Sequence, residues 1–179
     1  IENIPPGSMG LTLQPYWSPG TNTDADVKGA IIGFGDVHTR AHIYRSILEG
    51  LGYALKDGML TLQKKNGVKI ECLRVSGGGS QSDAVMQITA DIFNLPAQRP
   101  HTYETSALGA AIDAAVGLGL HSDFPTAVRE MTRITDVFEP IPKNRDLYHE
   151  LFERVYLKIY GRLQPIYNEI RRITGYPAL

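Results

Sequence analysis

The chain has 179 residues, 42% of them hydrophobic and 21% charged, with a formal net charge of −1. That is apolar material enough for a packed core without staples, and the small charge excludes a non-specific electrostatic grip on nucleic acid or an anionic membrane. The single cysteine, Cys72, excludes an internal disulfide framework and fits a reducing, cytoplasmic setting, and no apolar run reaches the length that spans a bilayer.

Residues 1–9, with Pro5, Pro6, Gly7 and Ser8, read as a linker or loop. The opening has no basic segment followed by an apolar one, which excludes a signal peptide, and it lacks methionine, so a longer parent chain is expected. Residues 10–14 alternate and predict a strand. Residues 15–20 are rich in turn formers and aromatics, and residues 21–26 are a polar loop. The run 29–35, β-branched and punctuated by glycine, predicts a second strand.

Thr39 is placed to cap a long helix. Its apolar stripe would be Ile43, Ile47, Leu48, Leu51, Leu55, Met59 and Leu62, at steps of three and four. Gly50, Gly52 and Gly58 each cost about 1 kcal/mol against alanine in that helix, so close packing should compensate or the helix should break near Gly58. A buried strand over 70–75, containing Cys72, leads into Gly77, Gly78 and Gly79. A second helix over 80–93 puts Val85, Ile88, Ile92 and Leu95 on one face and is ended by Pro96.

Residues 97–100 form a short extended segment. A small-residue helix over 105–119, capped by Thr105 or Ser106, should lie tight against a neighbour. Residues 124–131 predict a short helix. The last helix begins near Asn144, with a stripe through Leu147, Leu151, Val155, Ile159, Leu163, Ile166, Ile170 and Ile173, and Pro165 should kink or split it. Tyr148, Tyr156, Tyr160 and Tyr167 flank this stripe as core or surface-covering residues.

Several chemistries are excluded. There is no Gly-x-x-x-x-Gly-Lys-Ser/Thr loop and no Gly-x-Ser-x-Gly elbow. Gly33 and Gly35 lack the third glycine of a dinucleotide fingerprint. His38 and His42 are four apart but have no third ligand in register. Asp24 and Asp26 read as a solvated pair rather than a cation site. Gly77, Gly78 and Gly79, between strand and helix, leave the backbone open to close approach, and the helix that follows directs unpaired N–H groups at the same place. From the glycines alone, a bare turn and an anion or nucleotide site are both open.

Three blocks in order narrow the choice. They are Arg-Ala-His-Ile-Tyr-Arg-Ser-Ile-Leu-Glu-Gly-Leu-Gly-Tyr-Ala-Leu-Lys-Asp at 40–57, Val-Ser-Gly-Gly-Gly-Ser-Gln-Ser-Asp at 75–83, and Glu-Thr-Ser-Ala-Leu-Gly-Ala-Ala at 104–111. Together they resemble the C-terminal domain of the FGGY carbohydrate kinases, such as xylulose, glycerol, ribulose and gluconate kinases, over residues 11–176. The resemblance implies an α/β fold of the ribonuclease H-like (actin-like ATPase) type. The expected lobe, residues 10–179, has a mixed sheet flanked by helices and a long C-terminal helix, and it is the second of two that close over ATP and a small sugar or polyol.

The resemblance further implies that Gly77, Gly78 and Gly79 let the adenosine of ATP lie on the backbone, with Ser82 and Asp83 near adenine or ribose. Ser82 stands where glycerol kinases commonly carry asparagine. Mg²⁺ would bridge the phosphates. The helix from Ser106 would pack behind the site. No catalytic residue is expected in this chain: the family's aspartate base, most sugar contacts and the phosphate loops belong to the first lobe or lie upstream of Ile1. The segment 15–21 is shorter than its counterpart in the family. A C-terminal fragment, inactive alone, is therefore expected, with the missing lobe of the same protein as its partner and a homo-oligomer possible. The alternative is a nucleotide-binding lobe of the actin or heat-shock chaperone type.

Overall fold

The computed structural model describes residues 3–17 and 27–176; the loop at 21–26, with Asp24 and Asp26, and the end of the turn-rich segment at 15–20 lie outside the described residues. In chain order the elements are β1 (Thr12–Gln14), β2 (Ala30–Ile32), α1 (Arg40–Asn66), β3 (Leu73–Arg74), α2 (Asp83–Phe93), β4 (Ala97–Pro100), α3 (Thr105–Gly117), α4 (Phe124–Met131), β5 (Ile134–Phe138), α5 (Pro142–Leu151) and α6 (Leu157–Thr174). They fall into two compact units, one made of Ile1–Val68 with Pro142–Leu179 and the other of Lys69–Ile141. Small sheets flanked by helices, and a long final helix, give the expected mixed α/β class. Among the described residues no helix is long and apolar enough to cross a membrane.

In the first unit β1 and β2 pair antiparallel, with Leu13 opposite Ile31. Thr39 starts α1 as expected: His42 Nδ1 accepts from the Thr39 N–H at 3.2 Å, which reciprocates the cap. That commits His42 to capping, and His38 accepts from the Gly35 N–H at 2.8 Å. The helix does not break near Gly58; it runs to Asn66 and stops at Gly67, whose φ of 65° is left-handed.

The buried face of α1 is not the apolar stripe. His42, Arg45, Ser46, Glu49, Gly50, Tyr53 and Lys56 face inward, whereas Leu51, Leu55 and Leu62 are exposed. The cause is a polar cluster centred on Glu49. Its carboxylate accepts from the Gly7 N–H at 3.0 Å, Ser8 Oγ at 2.8 Å, Arg45 Nε at 2.8 Å and the Tyr148 hydroxyl at 2.7 Å. Arg45 also donates to the Ile4 carbonyl at 2.7 Å and to the Tyr148 hydroxyl at 2.9 Å. Once its lone pairs and protons are satisfied in this way, a charged face can be buried.

Gly50 and Gly58 now separate. A Cβ on Gly50 would stand 2.5 Å from the Leu13 carbonyl oxygen, because α1 lies directly on β1 there. A Cβ on Gly58 would meet nothing within 4 Å. We therefore expect opposite signs from one substitution on one helix. Gly50→Ala should destabilise by about 1–3 kcal/mol through overpacking, and Gly58→Ala should stabilise by about 0.5–1 kcal/mol through helix propensity. Urea midpoints of the two variants check this; equal shifts would remove the packing argument.

At the other end of this unit Pro165 does not break the final helix, which is continuous from Leu157 to Thr174. The irregularity comes earlier, as a π turn over Phe152–Tyr156. The core is mostly aromatic: Tyr148, Phe152, Tyr156 and Tyr167 are buried together with Ile159 of the predicted stripe, while Leu147, Ile166, Ile170 and Ile173 of that stripe are exposed. Tyr53 of α1 sits among them, with ring centroids 6.2, 6.0 and 5.2 Å from Tyr148, Phe152 and Tyr156. Aromatic rings at these separations add to simple area burial. Burial, with Glu49 and Tyr148 nearby, pushes the Tyr53 phenol far above its ordinary value.

In the second unit β4 is central, parallel to β3 and antiparallel to β5. The expected buried strand at 70–75 shrinks to Leu73–Arg74, and Cys72 is exposed. Pairing cannot begin sooner, because the neighbouring strand itself starts only after Pro96, whose carbonyl accepts from the Leu73 N–H at 2.9 Å. β5 was not expected; it lies at the sheet edge with Ile134 and Val137 exposed, so little burial marks it in the sequence.

Helix α2 packs Met86 and Ala90 with Ala97 against Val75 and Phe138. It ends at Phe93 as expected, with Asn94 (φ 53°) as its left-handed cap ahead of Pro96. Helix α3 runs over Thr105–Gly117 with Glu104 at its N-cap, in place of the expected Thr105 or Ser106, and no side-chain cap hydrogen bond. Only its Ile112 and Ala115 are buried, and a Cβ on Gly109 or Gly117 would meet nothing within 4 Å. Of its small residues, only Ala115 is packed in as expected.

Candidate functional site

The glycine turn is built from β3 outward. The Val75 N–H donates to the Gln98 carbonyl at 3.0 Å, extending the parallel pairing, and the Gly77 N–H donates to the Tyr103 carbonyl at 3.1 Å. Gly77 then takes φ 83°, ψ 177°, a region essentially restricted to glycine. The chain bends into a 3₁₀ turn over Gly78–Gln81 before α2 begins. The second helix thus starts at Asp83, not at Ser80, with Ser82 as its cap. The Ser80 N–H and hydroxyl both donate back to the Gly77 carbonyl, at 3.1 and 2.8 Å, and the Ser82 N–H donates to the Gly79 carbonyl at 3.2 Å.

The three glycines have different roles in this geometry. Gly77 is required by its own backbone. Gly78 and Gly79 are exposed and have no positive φ; a Cβ on Gly78 would meet nothing within 4 Å and one on Gly79 only Val85, at 3.9 Å. Among the described residues nothing demands glycine at those two positions. They present bare backbone to the outside at the N-terminal end of α2, where Ser82 is the helix cap and its hydroxyl accepts from the Val85 N–H at 3.5 Å.

The structure brings the second and third sequence blocks together. Thr105, at the start of α3, donates to the Ser76 hydroxyl at 3.1 Å, so the third block begins beside the turn. The first block belongs to the other compact unit.

One site residue has no signature in the sequence. Arg99 on β4 donates through Nε to the Ser80 carbonyl at 2.7 Å, through Nη2 to Asp83 Oδ1 at 2.5 Å and through Nη1 to Asp136 Oδ2 at 3.2 Å. Its guanidinium carbon lies 5.0 Å from the centroid of the Phe138 ring. The hydrogen bond with Asp83 is the foremost cause that raises the Arg99 guanidinium above its ordinary value. The Asp83 carboxylate, expected beside adenine or ribose, is thus already engaged by the sheet. An arginine in a four-residue strand bounded by prolines carries no local pattern that would single it out.

Among the described residues no group of three or more His, Cys, Asp and Glu side chains could hold a metal ion. What the site offers is exposed backbone, a helix N-terminus and a buttressed turn, an arrangement that can receive an anionic group.

This arrangement, a glycine turn between a parallel strand and a helix in a mixed lobe, is that of the actin-like ATPase class. The solved structure of ligand-bound xylulose kinase from Lactobacillus acidophilus aligns with it at a TM-score of 0.79 and 29% identity, over 94% of this chain and 34% of that one. The family model described as the FGGY family of carbohydrate kinases, C-terminal domain, matches residues 12–118, and the chain belongs to that family. Among curated relatives, it is 41% identical over 154 residues to the uncharacterized sugar kinase YgcE of Escherichia coli K12, covering 86% of this chain and 31% of the relative. It is 34% identical over 172 residues to a xylulose kinase of Staphylococcus epidermidis, covering 94% and 34%. The chain spans about a third of the length of the curated relatives it matches.

Proposed function

We propose that residues 10–179, led in by residues 1–9, are the C-terminal, nucleotide-binding lobe of a cytoplasmic kinase that transfers the γ-phosphoryl group of ATP to a hydroxyl of a small sugar or polyol. The observation that carries the reading is the pair Gly78 and Gly79, exposed and free of any internal need for glycine, in a chain of this family. An open cradle that side chains would fill fits the flat surface of a nucleotide. Adenosine lies on Gly77, Gly78 and Gly79, with Ser82 and Asp83 on its adenine or ribose side.

Phosphoryl transfer rests on positioning and on stabilising charge at the transferring group. Mg²⁺ bound to the phosphates supplies much of that charge stabilisation; no residue of this chain is assigned to it. The residues here orient the nucleotide. The base that takes the proton from the acceptor hydroxyl belongs to the missing lobe of the same protein, so this lobe alone does not turn over.

The experiment is an acceptor screen of the full-length protein with MgATP. Xylulose leads the panel because xylulose kinases are among the relatives, followed by glycerol and gluconate, with ADP release and the phosphorylated acceptor both measured. ADP release that depends on one acceptor is expected. ATP turnover that no acceptor stimulates, with no phosphorylated product, would favour an actin- or chaperone-type ATPase instead.

A further inference from the structure

We propose that Arg99 is a positioning residue for nucleotide binding, which sets the shape of the glycine turn without touching the ligand; this rests on the nucleotide reading above. Three successive glycines have more backbone freedom to lose than any other tripeptide. If the ligand had to order them, that cost would be subtracted from its affinity; a turn ordered beforehand removes it.

Arg99 is placed to do this ordering. Two arms of its guanidinium hold the turn at two points: Nε donates to the carbonyl of Ser80, and Nη2 to the carboxylate of Asp83 just after the turn. Ser80 is itself 1% exposed, and its hydroxyl and N–H both bond the Gly77 carbonyl. A continuous chain of hydrogen bonds therefore runs from Arg99 through Ser80 to Gly77, and Gly78 and Gly79 are the span between the fixed points. The third arm, to Asp136, and the face over Phe138 anchor the guanidinium on β5. Arg99 is 19% exposed at its side chain, so these contacts are partly shielded from water.

Lysine cannot replace this arrangement. It offers a point charge on a flexible stem where arginine offers a planar fork, so it can reach the Ser80 carbonyl or the Asp83 carboxylate but not hold both in one plane.

The test uses the full-length protein and MgATP as the probe, titrated directly by calorimetry, with the KM for ATP measured beside the KM for the acceptor found in the screen. Arg99→Met keeps the stem over Phe138 and removes all three arms. It is expected to weaken MgATP by roughly tenfold or more, as loss of charge-assisted hydrogen bonds implies, and to raise the ATP KM while the acceptor KM stays put. Arg99→Lys is expected to fall between Arg99→Met and the parent, and serves if Arg99→Met does not fold. Asp136→Asn removes only the arm to β5 and should leave ATP affinity within about twofold, the ordinary scale of a surface ion pair.

Parental MgATP affinity in Arg99→Lys, or in a folded Arg99→Met, overturns the inference. So does an Asp136→Asn variant that loses as much affinity as Arg99→Met, because Arg99 would then act only by holding the sheet together. Loss of ATP in Gly78→Val together with retention in Arg99→Met would keep the site and discard the role of Arg99. Retention in Gly78→Val would discard the site itself, and the inference with it.

Discussion

Gly78→Val in the full-length protein is expected to abolish ATP binding while leaving the lobe folded. The two halves of that statement have separate grounds. The fold should tolerate the change because Gly78 has no positive φ and a Cβ there meets nothing within 4 Å. On the proposed reading the ligand should not tolerate it, because a branched side chain would occupy the bare backbone assigned to the nucleotide. A loss of at least a hundredfold in affinity, about 2.8 kcal/mol, is the scale expected from filling a contact surface. Calorimetric titration with MgATP, beside a thermal melt of the same preparation, measures both halves. Gly77 is the wrong place for this test, since φ 83° and ψ 177° would strain any other residue and a loss of binding there would not report on the ligand.

Glu49→Ala is expected to be the most destabilising substitution in the first unit. Four donors converge on its carboxylate, whose side chain is 3% exposed, and its ion-pair partner Arg45 is 8% exposed. Removing one member of a buried pair leaves the other uncompensated, which costs about 3–5 kcal/mol, against total stabilities of about 5–15 kcal/mol. The carboxylate also holds the turn at Gly7, Ser8, Met9 and Gly10, where φ is 81°, 49°, 52° and 93°. For Ser8 and Met9 the left-handed region costs roughly 1–2 kcal/mol per residue, so the turn persists only while Glu49 anchors it. Glu49→Gln, which keeps the volume but presents an amide to Arg45, should recover only a part of the loss. A urea midpoint for Glu49→Ala within error of the parent would contradict the role of the cluster.

The sequence made the helices legible where they carry their own punctuation. Thr39 opens α1 as expected, and α4 occupies Phe124–Met131, the bounds expected for it. Gly77, Gly78 and Gly79 were legible as a break between strand and helix. The orientation of α1 was not. Periodicity selects apolar residues, and α1 buries Arg45, Glu49 and Lys56 instead of Leu51, Leu55 and Leu62. An acid four residues after an arginine looks like a solvated pair on a helix surface; only the distant Gly7, Ser8 and Tyr148 make it a buried one. β5 and Arg99 were missed for the same reason, since an edge strand with little burial and a cation bonded to residues 16, 19 and 37 positions away leave no short-range trace.

The π turn at Phe152–Tyr156 bears on which changes in this region a lineage can accumulate. Tyr148, Phe152 and Tyr156 stay against Tyr53 because the wider turn holds residues four apart on one side, where an ordinary helix would let them drift around the axis. Such a turn corresponds to one residue inserted in an α-helix. Deleting one residue across it would restore regular winding and leave the downstream helix in register, with Ile159 and Tyr167 keeping their positions and Tyr167 its partner Gln14, whose side chain accepts from its hydroxyl at 3.0 Å; the same deletion in the regular part of the helix would instead rotate everything beyond it by about 100°. A change of one residue in length can therefore be absorbed at this turn and not in the regular helix on either side: relatives that differ in count should differ here.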